Sequence, residues 1–255
     1  MRVRLRIRFS KLGKIRWTSH RDVARMWERA FRRVQLPLSY SEGFSPRPRV
    51  SFGLALPTGH ESVAEYLDVE LTDTSGIDLP TLASRLSGAL PAGVDASAVA
   101  VLEPGSPSLQ EDVISCTWRW AAGPADGHDP LPAHLLAERV EAALAAPVLM
   151  VTRTRKGAQV TEDVRPGILD LKMVDPGEAP GSGPTGGVWL EAELAAQPRS
   201  VRPAEVLSAL GPGLEERDVR RVHQWIQRHG ARLEPLAGTA PAGVTEAPHA
   251  LERVS

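Results

Sequence analysis

With 255 residues, 42% hydrophobic and 24% charged, the chain has an ordinary soluble composition, enough for one sizeable core or two smaller ones. Its single cysteine, Cys116, excludes an internal disulfide, a thiolate-held iron–sulfur cluster and a cysteine zinc site, so no metal or cofactor is expected and a reducing compartment is. The start Met1-Arg-Val-Arg-Leu-Arg6 has no apolar h-region behind it and no run approaches ~18 apolar residues, so neither a signal peptide nor a membrane span is expected and the expected location is cytoplasmic.

The net charge of −1 conceals an asymmetry: residues 1–49 hold 14 Lys and Arg against 3 Asp and Glu. That +11 region is balanced by −12 over residues 50–255. A basic segment on a neutral protein is the footprint of a polyanion site, because phosphate contacts supply most of the sequence-independent affinity for nucleic acid. The alternative is that these arginines pair with acidic groups of the later chain. Only 4 of the 30 basic residues are lysine, so base composition of the genome also contributes to the arginine excess.

Residues 2–9 alternate strictly, Val3, Leu5, Ile7 and Phe9 on one side and Arg2, Arg4, Arg6 and Arg8 on the other. The pattern predicts a half-buried strand whose outward face is guanidinium, suited to contacting a nucleic-acid backbone. Lys11 to Lys14 reads as a turn, and Lys11, Lys14 and Arg16 extend the basic surface. Ser19 is a helix N-cap with Asp22 three residues later. Val23, Met26, Trp27, Ala30, Phe31 and Val34 then form an inward stripe, opposite a ridge containing Arg21, Arg25, Arg29 and Arg32. His20 is the only residue of this region whose pKa suits proton transfer near neutrality, which makes it a weak catalytic candidate and an RNA-contacting one.

The densest stretch is Leu38 to Gly53. Gly43 permits a positive φ, while Pro46 and Pro48 fix their own φ and extend Ser45 and Arg47, so a stiff, ordered loop is expected. Tyr40 and Phe44 offer flat faces, Ser41 and Ser45 hydroxyls, and Arg47 and Arg49 forked donors suited to phosphate. Both aromatics are equally compatible with burial in the core. Pro48 to Leu54, Ala64 to Leu71 and Val94 to Leu102 read as strands, and Asp78 with Pro80 opens a second helix. The order strand, helix, strand, strand, helix, strand is that of a ferredoxin-like unit.

These residues resemble a family. Arg2 to Phe9, Thr18-Ser-His-Arg-Asp22, Leu36 to Gly53, Ala55-Leu-Pro-Thr-Gly59 and Ala64-Glu-Tyr-Leu-Asp68 are similar to segments of the bacterial radical SAM-linked proteins. The resemblance is dense over residues 2–71, with a later echo in Arg199-Ser-Val-Arg-Pro-Ala-Glu-Val-Leu207. It implies a radical-SAM protein as partner and no particular reaction. Where that family often carries histidine between the two prolines this chain has Arg47, which speaks against a metal or catalytic role there.

From Asp112 the pattern restarts: a strand from Val113, a helix opened by Asp129 and Pro130, and strands at Val148 to Arg153, Ile168 to Val174 and Val188 to Leu194. A helix at Pro203 to Leu210 and an amphipathic helix over Leu214 to His229 follow. Asp175 to Gly187 reads as a mobile hairpin loop. The expected architecture is therefore α+β, with two tandem ferredoxin-like (βαββαβ) halves, the second divergent. The boundaries expected are 1–105 for the basic half, 112–236 for the second, and 237–255 for a disordered tail. The expected function is a non-catalytic RNA-binding accessory protein that presents RNA, with tRNA or rRNA the expected class, to a radical-SAM enzyme. Two readings stay open beside it: an RNA-modifying or RNA-cleaving enzyme of tandem ferredoxin-like fold using His20, and a protein–protein adaptor.

Overall fold

The computed structural model describes residues 2–155, 157–175 and 188–237. The loop predicted over Asp175 to Gly187 and the tail expected from residue 237 fall almost entirely outside the described residues. The chain divides into two compact units, one of residues 2–112 with 233–237, the other of residues 113–232. Both mix helices with antiparallel strands, so the protein is α+β.

In the first unit the chain runs β1 (Val3–Lys11), a 3-10 turn (Gly13–Trp17), α1 (His20–Arg33), β2 (Val50–Phe52), β3 (Glu61–Leu71), α2 (Leu79–Ala89) and β4 (Val94–Leu102), ending in the short α3 (Leu109–Asp112). The strands lie in the order β4-β1-β3-β2, every neighbouring pair antiparallel. Helix α1 begins where its sequence signal predicts: Ser19 Oγ accepts from the Asp22 N–H at 3.2 Å and stands in for an absent helical carbonyl. Val23, Trp27, Ala30 and Phe31 share one face at spacings of three and four, and all four are buried. Trp27 meets Phe9 of β1 edge to face at 5.0 Å and Phe31 at 5.4 Å. Leu5, Ile7 and Phe9 complete this layer from the sheet.

The arginine side of β1 corrects the sequence reading. Arg6 is 2% exposed, not outward, and its Nε and Nη2 form a fork on the two carboxylate oxygens of Asp68 at 2.8 and 2.9 Å. Asp68 is the residue directly opposite Arg6 on β3, so the pairing register itself brings charge against charge. The carbonyls of Pro107 and Pro235 take further Arg6 donors, and Asp112 lies 4.0 Å away. Arg4 donates to the Ser106 carbonyl and Arg8 lies 3.5 Å from Glu234. Strand alternation states which side a residue faces but not what covers that side, and here residues 106–112 and 234–235 cover it.

In the second unit the order is β5 (Val113–Pro124), α4 (Ala133–Ala145), a hairpin of β6 (Met150–Arg155) and β7 (Ala158–Asp163), β8 (Ile168–Val174), β9 (Val188–Ala195), α5 (Pro203–Leu210) and β10 (Leu214–Arg228). Its sheet runs β10-β5-β9-β8, again antiparallel, while β6 and β7 pair only with each other. Without that hairpin the order of strands and helices repeats the first unit. Helix α4 starts at Ala133 rather than at Asp129, with Pro132 in the capping position.

The predicted helix over Leu214 to His229 is instead the 15-residue strand β10. The difference has a local cause. Opposite β5 the register slips between Arg221 and His223, leaving Val222 as an extra residue in a bulge. Burial therefore follows Val219 and Arg221, shifts phase, and continues through Val222, Gln224 and Ile226. Two period-two patterns joined out of phase place Val219, Val222 and Ile226 at helical spacing.

Across β5, β9 and β8, Glu191 receives hydrogen bonds from Arg119 and from Lys172. Burial opposes ionisation of Glu191, but these two donors outweigh it and hold the carboxyl below its ordinary value of 4.5. A carboxylate depressed on folding contributes stability that is present above pH 4.5 and lost as pH falls through the folded value. Melting temperature followed from neutral pH into acid should therefore drop more steeply for the wild type than for Glu191→Gln. Parallel curves would show that the cluster contributes nothing to acid sensitivity.

Candidate nucleic-acid interface

The basic residues of the first 49 positions separate into two groups. Besides Arg4, Arg6 and Arg8, Lys11 is withdrawn from the surface: it is buried, and its ammonium donates to the carbonyls of Arg16 and Thr18 at 3.2 and 3.0 Å. Its pKa lies below the ordinary 10.5 because burial penalises the charge, partly offset by Glu65. The expectation that Lys11 is an RNA contact is replaced by a bracing role beneath the 3-10 turn. Arg16 lies 3.6 Å from Glu61 and is half-buried. Arg49 is 3.8 Å from Glu70 and donates to the Tyr40 carbonyl.

The second group remains open to solvent. Arg2, Lys14, Arg21 and Arg47 are exposed, and their side chains make no hydrogen bond or ion pair among the described residues. Arg25 and Arg32 pair only with Asp22 and Glu28 on their own helix, in exposed i,i+3 and i,i+4 contacts that are weak in water. The basic surface is thus the outer ridge of α1 and the loops on either side of it.

The loop after α1 is ordered by its backbone. Ser39 N donates to the Glu70 carbonyl and Arg49 N to the Ser39 carbonyl, each at 2.8 Å, and Ser41 N to the Arg47 carbonyl at 2.9 Å. These bonds close a narrow hairpin on the edge of β3. Ser41 Oγ also accepts from the Arg47 N–H at 3.0 Å, which ties the two arms of the hairpin together and leaves the O–H as donor. Gly43, with φ of +118°, turns the tip. Phe44 is then fully exposed and Tyr40 is 46% exposed, so neither aromatic is core. Ser45 and Arg47 are exposed beside Phe44.

His20 sits at the start of α1, its ring edge to face with Phe52 of β2 at 5.0 Å. Together with Phe9, Lys11, Val23 and Glu65 these two rings line a pocket of about 20 Å³, room for about one water. Lys11 and Glu65, absent from any local spacing with His20, are brought to it by the pairing of β1 with β3. Trp17 is not among the residues singled out by the sequence, yet it is 65% exposed at the end of the 3-10 turn. Its signal in the sequence is a tryptophan following Lys14 and Arg16 and preceding the apolar stripe of α1.

Among the described residues no group of His, Cys, Asp and Glu is arranged to hold a metal ion, and no helix is long and apolar enough to cross a membrane. Fold and surface together define an α+β protein whose first unit carries a basic helix ridge and an aromatic-tipped hairpin. Residues 4–203 match the model of the family described as an uncharacterized protein conserved in bacteria (DUF2344), and the chain belongs to that family. No curated protein matches it.

Proposed function

We propose that the protein is a non-catalytic RNA-binding accessory protein, built of two ferredoxin-like modules, that holds RNA on its first unit for a partner enzyme. The shared antiparallel order, β4-β1-β3-β2 in one unit and β10-β5-β9-β8 in the other, supports the module reading, with the β6–β7 hairpin as an insertion in the second. The observation that carries the RNA reading is the set of exposed cations without carboxylate partners among the described residues, Lys14, Arg21 and Arg47, each within four positions in the chain of an exposed aromatic, Trp17 or Phe44. The radical-SAM identity of the partner rests on the resemblance of the motifs alone.

Purified protein is expected to carry RNA, read as an elevated absorbance ratio and identified by sequencing what copurifies. Changing Lys14, Arg21 and Arg47 together to glutamine should weaken RNA binding without loss of fold. It should also reduce the salt slope by roughly 0.7 for each phosphate of a single-stranded RNA that the variant no longer neutralises. A variant with unchanged affinity and slope would exclude this surface. One observation favours the enzyme reading instead: His20 lines the same small pocket as Lys11 and Glu65. An RNA-cleaving or RNA-modifying activity lost in His20→Ala, with RNA affinity kept, would establish that reading.

A further inference from the structure

We propose that Trp17 is a stacking platform for one unpaired nucleobase; the proposal rests on the RNA reading and names how a single strand engages the first unit. A tryptophan is the costliest side chain to leave in water, and this one is 65% exposed. Its exposure is enforced by construction. The carbonyls on either side of it, those of Arg16 and Thr18, both accept from the buried Lys11 ammonium. The Arg16 carbonyl also accepts from Gly59 N at 2.9 Å, and the Ile15 carbonyl from Thr18 N and Oγ1 at 3.0 and 2.7 Å. Glu61 accepts from Gly13 N at 2.6 Å, which closes the start of the same turn. A buried lysine spent on two main-chain carbonyls holds the backbone of a surface residue, and such bracing is expected where side-chain direction matters.

The ring is seated as well. Gly59 has φ of +89°, and a Cβ there would lie 2.8 Å from Cζ3 of Trp17, so the turn Pro57–Gly59 supports the indole only because that position is glycine. The Arg16 guanidinium, 3.6 Å from Glu61, lies over the ring 5.4 Å from its centroid, and Lys14 and Arg21 are exposed nearby in the chain. A flat, fixed aromatic with the exposed Lys14 and Arg21 close to it in the chain suits a base with its attached phosphates: the ring takes the π-face and these two cations take the backbone. A base in a duplex keeps both faces covered by its neighbours, so the platform selects unpaired nucleotides.

The test compares wild type, Trp17→Ala and Trp17→Phe for binding to a single-stranded RNA oligonucleotide and to a blunt RNA duplex of equal length, across a salt series. We expect Trp17→Ala to lose roughly 5- to 150-fold in affinity for the single strand. Trp17→Phe should lose much less, duplex affinity should be unchanged, and the salt slope should match wild type because no charge is removed. Melting curves of all three proteins should coincide. Wild-type binding with equal single-strand affinity in Trp17→Ala would overturn the stacking role while leaving the RNA reading in place. An equal loss on duplex, or a fall in the salt slope, would overturn it too. A wild type that binds neither oligonucleotide would overturn the RNA reading and the platform with it.

Discussion

Replacing Asp68 by alanine should lower the free energy of unfolding by about 3–5 kcal/mol, read from urea denaturation. The variant leaves the Arg6 guanidinium buried without the carboxylate that takes both arms of its fork. Asp112 at 4.0 Å and the carbonyls of Pro107 and Pro235 soften the loss but supply no second fork. Replacing both partners, Arg6→Met with Asp68→Leu, should recover most of the stability, because the cost lies in stranding a charge and not in the absence of a pair. A loss in Asp68→Ala below about 1 kcal/mol, the range of exposed ion pairs, would mean that water reaches this face. The same measurement bears on function: Arg6→Gln is expected to destabilise the first unit with no effect of its own on the salt dependence of RNA binding.

Trp27→Ala and Phe44→Ala should fail in opposite assays. Trp27 is fully buried between Phe9 and Phe31, so its truncation should cost about 3–5 kcal/mol of folding stability. Phe44 touches solvent on every side, so its truncation should leave stability within about 0.5 kcal/mol of wild type. If Phe44 stacks on a base, RNA binding should weaken by about 1–3 kcal/mol in the same variant. Unchanged binding in Phe44→Ala, Arg47→Ala and the Trp17 variants together would favour the adaptor reading, with an acidic protein docking on the α1 ridge.

The elements legible in the sequence are those whose signals are local. Ser19 caps α1 as its spacing with Asp22 implies, the stripe Val23, Trp27, Ala30 and Phe31 is buried, and β4 spans Val94 to Leu102 as read. The order of the loop around Gly43 was legible from one glycine and two prolines acting on their own dihedrals, although its closure into a hairpin depends on backbone bonds such as Ser39 N to the Glu70 carbonyl. The open ridge of α1 was also legible, since a helix shows its polar face to solvent when its apolar stripe is in the core.

What the sequence alone could not determine depends on residues far apart in the chain. Arg6 and Asp68 are 62 positions apart, and only the antiparallel register of β1 with β3 makes one a buried counterion of the other. Four alternating arginines look the same from the chain whether their side of the sheet meets water or a carboxylate. In β10 the bulge at Val222, one of three register shifts against β5, joins two strand patterns into an apparent helical one, because bulges form against a partner strand and leave no mark in the sequence. Trp17 belongs to the same class: its exposure is decided by Lys11 beneath its backbone and by Gly59 against its ring. Neither of these neighbours is marked by a helical or strand spacing from Trp17. Local dihedral preference and periodicity are written into neighbouring residues, whereas burial, counterions and the support of a surface ring exist only after strands have paired.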